Sequence, residues 1–187
     1  LLIRTRVNRM HRLLNSVLEY SSIGKNKYIT EPIIIKDVVN DVFNSLSFDF
    51  QPNIVFKDSL FKLDINRKRI YQVLKHVIEN AIKYTPKGGN IYLRLAKNKS
   101  GRAEISITDD GPGIPPEDRE RVKERFVRLD KSRTLPGSGL GLAFVEAVAD
   151  LHRAEFVLRD GIARADGAPG LSATLVFPRR KSLKSKD

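Results

Sequence analysis

Two carboxylates, Asp109 and Asp110, leave an apolar stretch directly into Gly111-Pro112-Gly113-Ile114-Pro115. A carboxylate at a strand end, followed by a glycine turn, can meet a ligand in a crevice, because glycine reaches positive φ and lets a backbone approach closely. Further along, Gly137-Ser138-Gly139-Leu140-Gly141-Leu142 opens a helix, and a helix start leaves bare N–H groups that suit an anion. Together these stretches suggest a nucleotide crevice, with a carboxylate for the base at one end and glycine amides for phosphates at the other. A third stretch runs from His76 to Tyr84. Residues three and four apart share a helix face, so His76, Asn80, Lys83 and Tyr84 stand together, where an amide, a cation and a phenol could hold a metal-bound triphosphate. Standing alone, that stretch would read as a solvated helix end.

These residues need elements to position them. Ala103 to Thr108 alternates apolar and polar, which makes a strand that delivers Asp109 at its end, and Ile91 to Ala96 alternates in the same way across a polar loop from Lys97 to Arg102. Ile65 to Tyr84 has a helical stripe of Ile70, Val73, Leu74, Val77, Ile78 and Ala81, with Asp64 suited to cap it. Ile33 to Phe50 reads as another helix and Ile54 to Phe56 as a short strand. Gly141 to Ala154 reads as a third helix, followed by strands over Glu155 to Leu158 and Ser172 to Phe177. A short charged helix starts at Pro115, and the charged segment from Phe126 to Pro136 between the two glycine clusters reads as a mobile lid. The inventory implies an α+β two-layer sandwich: about three helices on a mixed, mostly antiparallel sheet of five strands. Ahead of it, Ile3, Val7, Met10, Leu14 and Val17 recur at alternating spacings of four and three, the seam of a coiled-coil helix that another helix must cover.

Composition narrows the function classes. No cysteine is present, which excludes a disulfide scaffold, a Cys-based zinc site and a Cys nucleophile. No apolar run approaches the ~20 residues of a membrane span, and no signal peptide is visible. The net charge of +12 permits an anionic partner, but the basic residues are scattered and not interleaved with aromatics, so no nucleic acid is expected. The chain begins at Leu1 rather than Met, which suggests a fragment.

Asn80 in Glu79-Asn80-Ala81-Ile82-Lys83-Tyr84, Asp109-x-Gly111-x-Gly113, Phe126 with Arg128-Leu129-Asp130 and Arg133, and Gly137-x-Gly139-Leu140-Gly141-Leu142 resemble, in order and spacing, the N, G1, F and G2 boxes of bacterial sensor histidine kinases. The resemblance covers about residues 33–178 and implies the Bergerat ATP-binding fold, a two-component transferase, ATP and Mg²⁺. By resemblance, Asp109 accepts from the exocyclic amine of adenine beside Gly111, Gly113 and Ile114. Asn80 ligates Mg²⁺, with His76 as a further candidate. Lys83, Arg128 and Arg133 neutralise the triphosphate with Tyr84 nearby, and the amides from Gly137 through Ser138, Gly139, Leu140 and Gly141 to Leu142 hold phosphate oxygens. Such roles suit phosphoryl transfer, which needs positioning and charge neutralisation more than covalent help.

The resemblance also implies an organisation: residues 1–23 as the second helix of a dimerisation and phosphotransfer hairpin, 24–32 as a linker, 33–178 as the ATP-binding catalytic domain and 179–187 as a basic tail. The implied partners are a second copy, through that hairpin, and a response regulator receiver domain. The implied setting is the cytoplasmic side of an inner-membrane receptor. Three features depart from the pattern. His76 stands where these kinases usually carry Asn, a softer ligand than Mg²⁺ prefers. None of His11, His76 and His152 is followed by Glu or Asp, as the phosphoacceptor is, so the acceptor is expected upstream and the chain is expected to bind ATP without phosphorylating itself. Finally, every Asn lies at or before Asn98 whereas Ala becomes frequent after Ala103, which suggests a chimera of two related kinases joined near 98–102. Two alternative readings are a dimeric regulator that binds nucleotide without transfer, and a serine kinase or ATPase of the same fold. The latter would need a catalytic Glu four residues before Asn80, and Glu79 is not there.

Overall fold

The computed structural model describes residues 2–23, 29–46, 62–129 and 137–179. Four α-helices, six strands and two 3₁₀ turns lie within them: α1 (Leu2–Ser21), β1 (Glu31–Ile34), α2 (Ile35–Ser45), β2 (Lys62–Ile65), α3 (Arg67–Tyr84), β3 (Ile91–Lys97), β4 (Ala103–Asp109), the 3₁₀ turns Pro116–Asp118 and Arg121–Lys123, α4 (Gly141–Leu151), β5 (Glu155–Arg159) and β6 (Leu171–Val176).

The main sheet has the order β3-β4-β6-β5, antiparallel throughout. Its period-two pattern sends Leu93, Leu95, Ile105, Ile107, Phe156, Leu158, Ala173 and Leu175 inward, against the apolar stripes of α2, α3 and α4. Tyr92, Arg94, Glu104, Ser106 and Thr108 take the other face and keep contact with solvent. The α+β sandwich follows from that asymmetry, because one apolar sheet face and three apolar helix stripes can be covered only by each other. The alternation in β4 also decides the surroundings of Asp109. It is the next inward position after Ala103, Ile105 and Ile107, so a carboxylate is carried to the edge of the core.

The strands are arranged differently from the single five-stranded sheet expected. A separate two-stranded sheet pairs Ile33 with Leu63 and Ile34 with Lys62. The apolar run from Ile33 to Ile35 is too short for periodicity to distinguish strand from helix. Pro32, which lacks an N–H, sits on a two-stranded ribbon where each strand is an edge, and α2 begins only at Ile35. Asp64 is also not the cap of α3. It lies in β2 opposite Pro32, the strand continues until Ile65 is buried, and Asn66 then caps the helix by accepting from the N–H of Arg69 at 3.0 Å. The charged helix expected from Pro115 is two 3₁₀ turns. The strand expected at 54–56 lies outside the described residues.

The change of composition near 98–102 falls in the loop of the β3–β4 hairpin, across which seven residue pairs match without interruption from Ile91–Asp109 to Lys97–Ala103. Asn98 closes that loop, its side-chain oxygen accepting from the N–H groups of Ser100 and Arg102. No described helix is long and apolar enough to cross a membrane.

Candidate functional site

The end of β4 forms one end of the site. Asp109 is 4% exposed, and its Oδ1 accepts from the N–H groups of Gly111 at 2.9 Å and Leu171 at 3.3 Å. Those bonds hold the carboxyl group against the turn through Oδ1. Burial pushes its pKa up to about 6, with the Asp110 charge adding to the rise and the two backbone N–H groups opposing it. A Cβ on Gly111 would lie 3.0 Å from the carbonyl oxygen of Tyr84, so the turn is seated on the last residue of α3. Gly113, at φ +73°, passes so close to Gly170 that a Cβ would come within 2.5 Å of its carbonyl oxygen. Ile114 packs against the core, and its carbonyl accepts from Arg119 Nε at 3.0 Å.

The start of α4 forms the other end. Leu140 has no side chain capping it, so backbone donors of the first turn are open to an anion. Ser138 Oγ accepts from the Leu140 N–H at 3.2 Å, and Leu140 itself is buried. Gly139, at φ +73°, packs on the backbone of Phe126, whose N–H donates to the Gly139 carbonyl at 2.9 Å. This contact ties the Phe126 segment to the glycine cluster. Arg128 reaches the same place, with Nη1 donating to the Gly137 carbonyl at 3.0 Å.

The face of α3 predicted from spacing turns toward these glycines. A Cβ on Gly141 would sit 3.8 Å from His76 Nδ1 and 3.9 Å from Asn80 Nδ2, and one on Gly137 would sit 3.1 Å from Lys83 Nζ. Lys83 Nζ also donates to Tyr84 Oη at 2.9 Å, so the phenol braces the cation. Thus Asn80, His76, Lys83 and Arg128 converge on the glycines that open α4, while Gly111, beside Asp109, lies against Tyr84 at the C-terminal end of α3. Leu142 follows Gly141 in the first turn of α4 and packs on the core. Arg133 lies outside the described residues.

Sequence reasoning missed two partners. Asp110 is 7% exposed, and its Oδ2 accepts from both the N–H and Nδ2 of Asn90, at 2.9 and 3.0 Å. The Asp110 N–H donates back to the Asn90 carbonyl at 3.2 Å. Asp110 therefore ties the glycine turn to the loop between α3 and β3. Asn90 precedes the first pair of the β3–β4 register, Ile91 opposite Asp109, so the pairing follows once that register is known. Second, Glu19 of α1 accepts from Gln72 Nε2 at 2.7 Å and meets His76 Nε2 at 3.2 Å. The His76 bond holds the Glu19 carboxyl below its usual range, against the opposing effect of burial. No spacing rule signals a contact between elements so far apart.

Comparison with known proteins places this geometry. The family described as histidine kinase-, DNA gyrase B-, and HSP90-like ATPase matches residues 65–181. The signal transduction histidine-protein kinase/phosphatase MprB of Mycolicibacterium smegmatis is 41% identical over 106 residues, covering 57% of this chain and 21% of the relative. The sensor histidine kinase WalK of Bacillus subtilis is 33% identical over 178 residues, covering 90% of this chain and 28% of the relative. The chain thus spans well under half the length of these curated relatives. A solved structure of the mycobacterial sensor histidine kinase MprB superposes with a TM-score of 0.69 at 31% identity, over 81% of this chain and 99% of that one. The chain belongs to the histidine kinase-, DNA gyrase B- and HSP90-like ATPase family, as an ATP-binding catalytic domain of the sensor histidine kinase type.

Proposed function

We propose that this domain binds Mg²⁺-ATP and transfers its γ-phosphoryl group to a histidine on a dimerisation hairpin. The observation that carries the reading is the convergence of Asn80, His76 and Lys83 on Gly141 and Gly137, with the Asp109 carboxyl as the acceptor for a base at the other end. Asp109, when ionised, accepts from the exocyclic amine of adenine and disfavours guanine, whose edge would face it with an acceptor. Gly111, Gly113 and Ile114 shape the turn beside the base. Lys83, Arg128 and Arg133 neutralise the phosphates, Tyr84 steadies Lys83, and the N–H groups from Gly137 to Leu142 receive phosphate oxygens.

The site suits a divalent cation that takes most of its ligands from phosphates and water. The described residues contain no group of three or more His, Cys, Asp or Glu able to cage a metal, whereas Asn80 and His76 face one spot beside Gly141. Asn80 would hold Mg²⁺ through its side-chain oxygen, the atom beside the Nδ2 that faces Gly141, with His76 as a second ligand. Mg²⁺ held there would supply charge neutralisation at the phosphates, the help that phosphoryl transfer needs.

The acceptor belongs to a hairpin helix other than α1. Both ring nitrogens of His152 are engaged inside the domain, His76 meets Glu19, and His11 is followed by Arg12. Glu79 is exposed and pairs with Lys75 at 4.0 Å, which supports transfer to a protein over water activation by that residue. The exposed seam of α1 suits a second copy, and a response regulator receiver domain would take the phosphoryl group onward.

Titration with a fluorescent ATP analogue, with and without Mg²⁺, followed by addition of an acceptor hairpin and labelled ATP, tests the reading. Magnesium-dependent binding and a labelled phosphohistidine on the hairpin are expected. Binding without transfer to any acceptor hairpin would replace the kinase with a nucleotide-binding regulator. Phosphohistidine on the isolated chain would overturn the placement of the acceptor.

A further inference from the structure

His76 lies one helical turn before Asn80, and its two ring nitrogens face different elements. Nε2 lies 3.2 Å from Glu19 Oε2 on α1, whereas Nδ1 faces Gly141, a Cβ on which would sit 3.8 Å from it and 3.9 Å from Asn80 Nδ2. The other oxygen of Glu19 is occupied by Gln72 Nε2, and the ring meets Phe144 edge-on at 5.1 Å and 64°. The imidazole is therefore oriented from several sides. A carboxylate can only accept, so the Nε2 facing Glu19 carries the hydrogen. In the neutral ring the lone pair then belongs to Nδ1, which looks toward the space shared with Asn80. A carboxylate that fixes the tautomer and orientation of an imidazole is the usual support behind a metal-ligating histidine.

We propose that Glu19 is a positioning residue for the divalent cation of the nucleotide site, acting through His76, so that docking of α1 on α3 and cation affinity are coupled. The proposal rests on the nucleotide reading above. Glu19 reaches His76 only while the end of α1 lies against α3, a placement also held by Arg69, whose guanidinium donates to the Ser22 carbonyl at 2.6 Å and to Ser22 Oγ at 3.1 Å. Because coupling of binding equilibria is reciprocal, a bound metal-nucleotide favours docked α1 to the same degree that docked α1 favours the metal. The substitution of His for Asn at this position thus makes the metal site responsive to the helix that precedes the domain.

The test uses the full chain with ATP analogue and Mn²⁺, read by electron paramagnetic resonance, together with ¹⁵N NMR of the imidazoles. The wild type is expected to show His76 with hydrogen on Nε2 and its Nδ1 resonance broadened by Mn²⁺. Glu19→Ala should raise the Mn²⁺ half-saturation about 10- to 100-fold, the range for loss of such support, and leave metal-free nucleotide binding unchanged. Arg69→Ala, which removes the Ser22 bonds and the Arg69 contact to Gln72 while leaving Glu19 and His76 in place, should shift it in the same direction. In a His76→Asn background, Glu19→Ala should have no effect on the metal. An unchanged half-saturation in Glu19→Ala, or hydrogen on Nδ1 in the wild type, overturns the proposal. An effect of Arg69→Ala with none of Glu19→Ala assigns the coupling to docking alone and overturns it too. Absence of nucleotide binding by the wild type overturns this inference and the nucleotide reading together, whereas binding with cation dependence intact in Glu19→Ala overturns the inference only.

Discussion

Asn66 and His152 join the two helices that frame the site: the Asn66 N–H, at the cap of α3, donates to His152 Nε2 at 3.1 Å, just after the last turn of α4. His152 Nδ1 donates to the Val148 carbonyl at 2.8 Å, and the ring packs edge-on against Phe177. Both nitrogens are used in the neutral form alone. His152→Ala should therefore destabilise the domain by about 2–4 kcal/mol in urea denaturation, combining a lost hydrogen-bonded partner with a cavity. Burial lowers the His152 pKa. Its contribution is then complete above the ordinary value of about 6.5 and declines as the pH falls below it, because the unfolded state takes up the proton first. The variant should lack that acid-side decline.

Asp109 should act with the opposite sign. Its pKa in the fold is raised from 3.8 to about 6, so the native state binds the extra proton between those values. Its contribution to stability is fully present below the unfolded value and is lost as pH rises through about 6, to the extent of ~3 kcal/mol. Asp109→Asn should flatten this part of the pH–stability curve. Nucleotide binding should show the reverse trend, since only the carboxylate accepts from the adenine amine without competition from its own proton. Affinity measured at pH 5 should be about tenfold below its plateau. Lys83→Ala should weaken binding by ~1.5–3 kcal/mol and keep that pH step.

Two glycines separate backbone strain from lack of space. Gly113 and Gly167 both have positive φ, +73° and +85°, but only Gly113 has neighbours where a Cβ would go. Gly167→Ala should cost about 1–2 kcal/mol, the left-handed penalty alone. Gly113→Ala should cost more and, on the proposed nucleotide reading, also reduce nucleotide affinity, because the turn beside Asp109 must move away from Gly170. Thermal denaturation and ATP titration of the two variants check this.

The apolar seam of α1 is open along the described helix: Val7, Met10, Leu14 and Val17 are exposed, Met10 by 60%, while Tyr20 and Ile23 beyond it pack on the core. On the proposed pairing of α1 with a second copy, replacing Met10 and Leu14 by Asp should leave the chain monomeric in sedimentation experiments where the wild type dimerises, and keep the melting of the catalytic domain within about 1 kcal/mol, since exposed positions carry little folding energy.

The amino-acid sequence by itself determined which residues share a face. Period two brought Asp109 to a strand end on the inward side, helical spacing put His76, Asn80 and Lys83 on one stripe, and glycine clusters marked where backbone must approach closely. These are local properties, set by the geometry of one element at a time. Short apolar runs were not legible in this way, as the strand at Ile33 and Ile34 and the displaced cap at Asn66 illustrate. Only the tertiary structure decided the partners: Asn90 with Asp110, 20 residues apart, Glu19 with His76, 57 apart, and Asn66 with His152, 86 apart. Such pairs depend on strand register and on how helix side chains interlock across a packed core. Those are properties of two elements jointly, and no periodicity within either element encodes them.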